Sequence, residues 1–175
     1  MRAMRMANRP EQERAAHECM AWAQQAGDER LRLSGLRLLA AALVRRNEVQ
    51  AGRRLALQGL AEARSLGLRE VEAQMLNVLT IAAGMQGDML EGLELVQQAL
   101  EFYRETANRD NVAVSLLNLG LGWMNLGDLI QARGHLESAM PVLRACGNRV
   151  MEGIALATLS TLALWDGRAT QALAL

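Results

Sequence analysis

Lysine is absent from this chain. All 19 basic residues are arginine, and 19 acidic residues balance them to a net charge of zero. A general nucleic-acid binder needs a basic excess to neutralise phosphates, so that class is excluded. Cysteine occurs only at Cys19 and Cys146, too sparse for a secreted disulfide framework, and a reducing, cytoplasmic setting is expected. Proline occurs only at Pro10 and Pro141, which leaves long stretches open to helix. Aromatics make up 3% of the chain, so alanine and leucine, both strong helix formers, carry the apolar load. The opening stretch holds Arg2, Arg5 and Arg9 but no apolar core, unlike a secretory signal. No run approaches the roughly 18 apolar residues of a membrane span. An all-α class follows.

What is present is a repeat. Turn-like segments begin at Arg46-Asn47, Gly87-Asp88, Gly127-Asp128 and Gly167-Arg168, separated by 41, 40 and 40 residues. A second series, Gly27-Asp28, Gly67-Leu68, Asn108-Arg109 and Gly147-Asn148, falls between them. Two interleaved series at one period predict two helices per repeat. Asn47 with Gln50, Asp88 with Glu91, and Asp128 with Gln131 have capping-box spacing. Gly87 and Gly127 are placed to end the preceding helices in a left-handed conformation. The spacing predicts helices over 10–25, 29–45, 48–65, 69–86, 89–106, 110–126, 129–146 and 149–165, with a stub from 168. One domain over 1–175 is expected: a half repeat (10–25), repeats 29–65, 69–106 and 110–146, and a partial repeat 149–175.

Within these repeats, small and leucine residues recur. The third reads Leu116, Leu119-Gly120, Trp123, Gly127-Asp128, Ala132, Leu136 and Ala139. The second has Leu76, Leu79-Thr80, Ala83, Gly92, Val96 and Ala99 in the same places. This pattern resembles the tetratricopeptide repeat (TPR) family, in the longer form of about 40 residues found in large bacterial ATP-dependent transcription activators and kinesin light chains. The resemblance implies a right-handed superhelix, an α-solenoid of antiparallel helix pairs A and B. It also implies a concave surface lined by the A helices. The family's late proline in helix B is not seen in this pattern.

The family register places Leu33, Leu36, Ala40, Leu43 and Val44 of the first repeat on that surface. From the second it places Gln74, Asn77, Ile81, Gly84 and Met85. From the third come Val114, Leu117, Asn118, Leu121, Met124 and Asn125, and from the fourth Ile154, Ala157, Thr161, Leu164 and Trp165. The surface is mostly apolar and suits an amphipathic helix or a partner protein. Asn77, Asn118 and Asn125 could bond a peptide backbone, since an amide both donates and accepts. Mid-helix cations are missing from the second to fourth A helices, so a clamp for an acidic C-terminal tail is not expected. Arg69, Arg109 and Arg149 recur at intervals of 40 at the starts of A helices, against the helix dipole. Either Glu72 and Glu152 compensate them, or they form an edge ladder toward an acidic partner.

Catalytic and metal constellations are not legible. His17-Glu18-Cys19 has no third ligand within reach in sequence, since His135 and Cys146 lie over a hundred residues on. Gly120-Leu121-Gly122 falls inside a predicted helix rather than after a strand. The expected function is non-catalytic protein or peptide binding, as a regulatory module or fragment of a larger bacterial signalling protein, with no cofactor. The alternative is a small-molecule sensor, with Trp123 and Trp165 stacking on a sugar or metabolite. The chain opens and closes on B-helix sequence, so a homodimer through exposed terminal helices is a further expectation.

Overall fold

The structure is a computed structural model that describes residues 9–167, with side chains from 14 onward. All regular structure in this range is helical. The helices are α1 (Arg9–Ala26), α2 (Glu29–Arg45), α3 (Val49–Ser65), α4 (Arg69–Gln86), α5 (Met89–Glu105), α6 (Arg109–Asn125), α7 (Leu129–Ala145) and α8 (Arg149–Trp165). The expected stub from 168 lies outside the described residues.

A single turn geometry sets this metre. Left-handed backbone occurs at Gly27, Asn47, Gly67, Gly87, Ala107, Gly127, Gly147 and Gly167, one every 20 residues. At the turns of this series the next amide reaches back five residues, as Asp28 N does to Ala23 O, Asn108 N to Tyr103 O and Asn148 N to Leu143 O, at 2.9–3.0 Å. That bond closes the preceding helix. The next helix is then capped where the sequence allows: Asp28, Asn108, Asp128 and Asn148 accept from the amides of Leu31, Asn111, Gln131 and Met151.

Two sequence expectations change here. Asn47 is not the cap of α3. With φ of 70° it is the left-handed residue that ends α2, and Glu48 occupies the cap position without a side-chain bond. Asparagine tolerates this conformation better than other residues with a Cβ, so it stands where glycine usually does. The left-handed residue of the third turn in the second series is Ala107 rather than Asn108, and α6 begins at Arg109. The repeat is therefore regular, without the 41- and 39-residue intervals.

The helices fall into two compact units, one ending at Asp88 and the other beginning at Met89. In the first, α1 packs on α2, α2 on α3, α3 on α4, and α2 also meets α4. Its buried residues include Leu33, Leu36, Val44, Leu60, Val71, Met75 and Leu79. In the second, α5 packs on α6, α6 on α7, α7 on α8, and α6 also meets α8. Val96, Leu117, Leu119, Leu136, Leu143 and Leu162 fill its core. Gly120 lets α6 and α7 approach: a Cβ there would lie 2.6 Å from Leu136 Cγ and 3.2 Å from the Ala132 carbonyl. Pro141 sits inside α7, on its exposed side.

Candidate partner-binding surfaces

In α4, Gln74, Asn77, Ile81 and Met85 follow helical spacing and share one face. Gln74 and Asn77 are half-buried, while Ile81, at 52% exposure, and Met85 stand in solvent. In α6, Val114, Asn118, Leu121, Met124 and Asn125 share the corresponding face. Leu117 falls between them but is buried in the core. Leu121, Trp123 and Met124 are half-buried and lean on that core. Asn125 is exposed and its side-chain nitrogen lies 3.9 Å from the Met89 sulfur. In α8, Thr161 donates back to the Ala157 carbonyl at 3.0 Å, and Trp165 is 60% exposed.

The first repeat's register needs correction. Leu33, Leu36, Ala40 and Val44 are core residues. The regular 40-residue spacing carries Gln74, Asn77, Ile81 and Met85 back to Ser34, Arg37, Ala41 and Arg45, one position further along. Treating Asn47 as a cap caused the slip, and a one-residue slip on a helix turns the face by about 100°. The correction brings in a residue the sequence reading missed: Arg37, a half-buried cation in the middle of α2 at the position of Asn77.

The arginines at the A-helix starts are not compensated as expected. Glu72 bonds Arg64 at 2.8 Å, and Glu152 bonds Arg144 at 2.9 Å. The tight turn lays the last-turn arginine of one helix over the first turn of the next, so the acid goes to that arginine rather than to Arg69 or Arg149. The middle repeat breaks the pattern. Arg104 holds the place of Arg64 and Arg144, but Val112 stands where Glu72 and Glu152 are. Neither Arg104 nor Arg109 has a carboxylate partner among the described residues.

Those two arginines border a cavity of about 380 Å3 within the second unit, lined also by Ala107, Val112, Pro141, Val142 and Ala145. Burial and the Arg104 charge push the His135 imidazole below its ordinary range, which keeps it neutral at pH 7. Close by in sequence, the Cys146 thiol donates to the Asp110 carboxylate, which raises the thiol's pKa.

In the first unit the charges are satisfied internally. Arg32 bonds both Glu62 and Glu29, and Arg30 bonds Glu70. Arg32 in turn holds the Glu62 carboxyl below the usual range, helped by Gln58. Among the described residues, no group of three or more His, Cys, Asp or Glu could hold a metal ion. No described helix is long and apolar enough to cross a membrane.

No family model and no curated protein matches this chain. Solved structures match it closely in backbone. BtubC (BKLC) from P. vanneervenii aligns at a TM-score of 0.74 and 17% identity, over 94% of this chain and 70% of that one. A putative kinesin light chain from Podosopora anserina with nearly identical TPR-like repeats aligns at 0.67 and 18% identity, over 91% of this chain and 89% of that one. A point variant of that light chain gives 0.68 at the same identity and coverage. Helical hairpins at a regular 40-residue period, matched over nine-tenths of the chain by such structures, establish that this protein has the TPR-like α-solenoid fold.

Proposed function

We propose that this chain is a non-catalytic scaffold that binds a protein or peptide, serving as a regulatory module in a larger bacterial signalling protein. The observation that carries the reading is the face of α4 on which Ile81 and Met85 stand exposed beside the amides of Gln74 and Asn77. Apolar side chains next to amides suit a peptide, because they combine buried area with backbone hydrogen bonding. The sensor alternative needs two aromatic platforms. Trp123 leans on the core and only Trp165 is open, so the observations favour a peptide.

An array of overlapping 12-residue peptides tests this. Binding is expected, and the double substitution Ile81→Glu, Met85→Glu is expected to abolish it with the helical melt unchanged. A blank array, together with a metabolite that raises the melting temperature, would reverse the choice in favour of the sensor.

A second surface supports self-association. On α8, Val150, Gly153, Ile154, Ala157 and Leu164 form one exposed stripe at helical spacing. On α6 the matching positions of Gly153 and Ala157 are Ala113 and Leu117, both buried. The stripe thus continues a packing face used within the unit, and a second copy is its proposed occupant. Sedimentation at tens of micromolar is expected to show a dimer that Ile154→Glu converts to monomer. A monomeric parent chain would remove this proposal.

A further inference from the structure

The cavity beside Arg104 exists because one repeat departs from the others. Forty residues before Val112, Pro141 and Ala145 stand Glu72, Glu101 and Glu105. All three acids are replaced by apolar residues, while both arginines, aligned with Arg64 and Arg69, are kept. In the flanking repeats the arginine of this position is already engaged, by Glu72 or by Glu152. Here the basic groups persist and the internal acid does not. Pro141 adds to the case. A proline inside a helix forfeits a backbone hydrogen bond, so its presence at the cavity wall does not serve the stability of α7.

The cavity is an open dish. Arg104, Ala107, Arg109, Pro141 and Ala145 are all exposed, and Val112 and Val142 form a half-buried floor. A small molecule is held by a site that encloses most of its surface. An open dish instead suits side chains presented by a larger partner. The nearest carboxylate, Asp110, accepts the Cys146 thiol and does not line the dish.

We propose that this dish receives a partner peptide that presents a carboxylate side chain next to an apolar one, the carboxylate at Arg104 and Arg109 and the apolar group over Val112, Val142 and Pro141. The assignment rests on the scaffold reading and names a second surface for it, distinct from the α4 face. Charge complementarity selects the occupant: two guanidiniums without an acid of their own, over an apolar floor. Val112→Glu is the informative variant, because it supplies the acid that the flanking repeats carry and closes the arginine from within.

The test is a titration of the full isotope-labelled chain by NMR with acetyl-Leu-Glu-Leu-amide and its glutamine counterpart. Expected are amide shifts at Ala107, Val112, Val142 and Ala145 and a rise in the His135 pKa. The glutamine peptide should bind about ten-fold more weakly, and Val112→Glu and Arg104→Gln should each weaken the glutamate peptide by about as much. Both substitutions are at the surface and should leave the melting temperature within a few degrees. Equal binding of the two peptides overturns the proposal, as does undiminished binding by Val112→Glu. Octanoate binding more tightly than the peptide also overturns it and makes the dish a small-molecule site. A peptide from the array that binds the parent chain and Val112→Glu alike would sink the dish and leave the scaffold standing. Carboxylate-dependent shifts with a blank array would do the reverse.

Discussion

Gly52 and Ala40 hold α3 and α2 together by what they lack: a Cβ on Gly52 would lie 2.7 Å from the Ala40 carbonyl oxygen and 2.6 Å from Val44 Cγ2. A backbone oxygen cannot move aside as a side chain can. Gly52→Ala is therefore expected to destabilise the chain by about 1–3 kcal/mol, the overpacking cost outweighing the gain in helix propensity. Gly134 in α7 is the control, with open space around its missing Cβ. Gly134→Ala should stabilise by about 0.5–1 kcal/mol. Urea unfolding of the two variants gives opposite shifts if the contact at Ala40 is what matters.

The turn at Ala107 carries strain that its sister turns avoid. Its φ of 52° is one that L-residues with a Cβ adopt at a cost of roughly 1–2 kcal/mol. Ala107→Gly is expected to raise stability by about 1 kcal/mol, read as a higher midpoint of thermal unfolding. The position of Leu68 offers a parallel gain, since no side chain there caps α4. Leu68→Asp should add about 1 kcal/mol by supplying the bond that Asp28 and Asp128 make elsewhere.

These two turns also show what the sequence conceals. Helix number, helix length and the pairing of neighbours were readable, because glycine marks six of the eight left-handed positions and the apolar spacing between them is helical. Asn47 and Ala107 were not. An asparagine next to a glutamate reads equally well as a cap or as a terminator, and an alanine gives no sign of a left-handed backbone. The register error at Asn47 then hid Arg37 on the face of α2. Ile81, Met85 and Trp165 were legible as open positions because their helices present them away from the core. Leu117 was not, since its burial depends on how α6 packs, which no local pattern records. The dish at Arg104 was invisible for another reason: it is defined by an acid that is missing.

The Arg32–Glu62 pair predicts an acid-sensitive contribution. The folded-state pKa of Glu62 lies below its ordinary value, because Arg32 and Gln58 bond its charged form. The stabilisation is complete above the ordinary carboxylate range and disappears as the pH falls through the lowered pKa. Glu62→Gln is expected to lose about 0.5–1 kcal/mol at pH 7 and to match the parent chain near the acid end. Unfolding midpoints measured from pH 7 downward check both the offset and its disappearance. An offset that persists unchanged into acid would assign the effect to packing.

The Cys146 thiol predicts a difference in reactivity. Asp110 accepts its proton and opposes the thiolate, so alkylation at pH 8 should be slower than that of a free cysteine. Asp110→Asn should accelerate it by at least about two-fold, because the thiolate is then no longer opposed by a negative neighbour. Mass spectrometry of the labelled peptide separates Cys146 from Cys19. A rate unaffected by Asp110→Asn would remove the carboxylate as the cause.

The uniform step from one left-handed turn to the next has a consequence at the level of the gene. Any two turns of the same series occupy equivalent points, so an in-frame exchange between them excises or copies a whole hairpin without leaving a seam. Recombination between such sites changes the number of hairpins while each surviving joint keeps its geometry. A hairpin that varies on its own, as the one bearing Val112 does, can thus acquire a new surface while its neighbours preserve the frame that holds it.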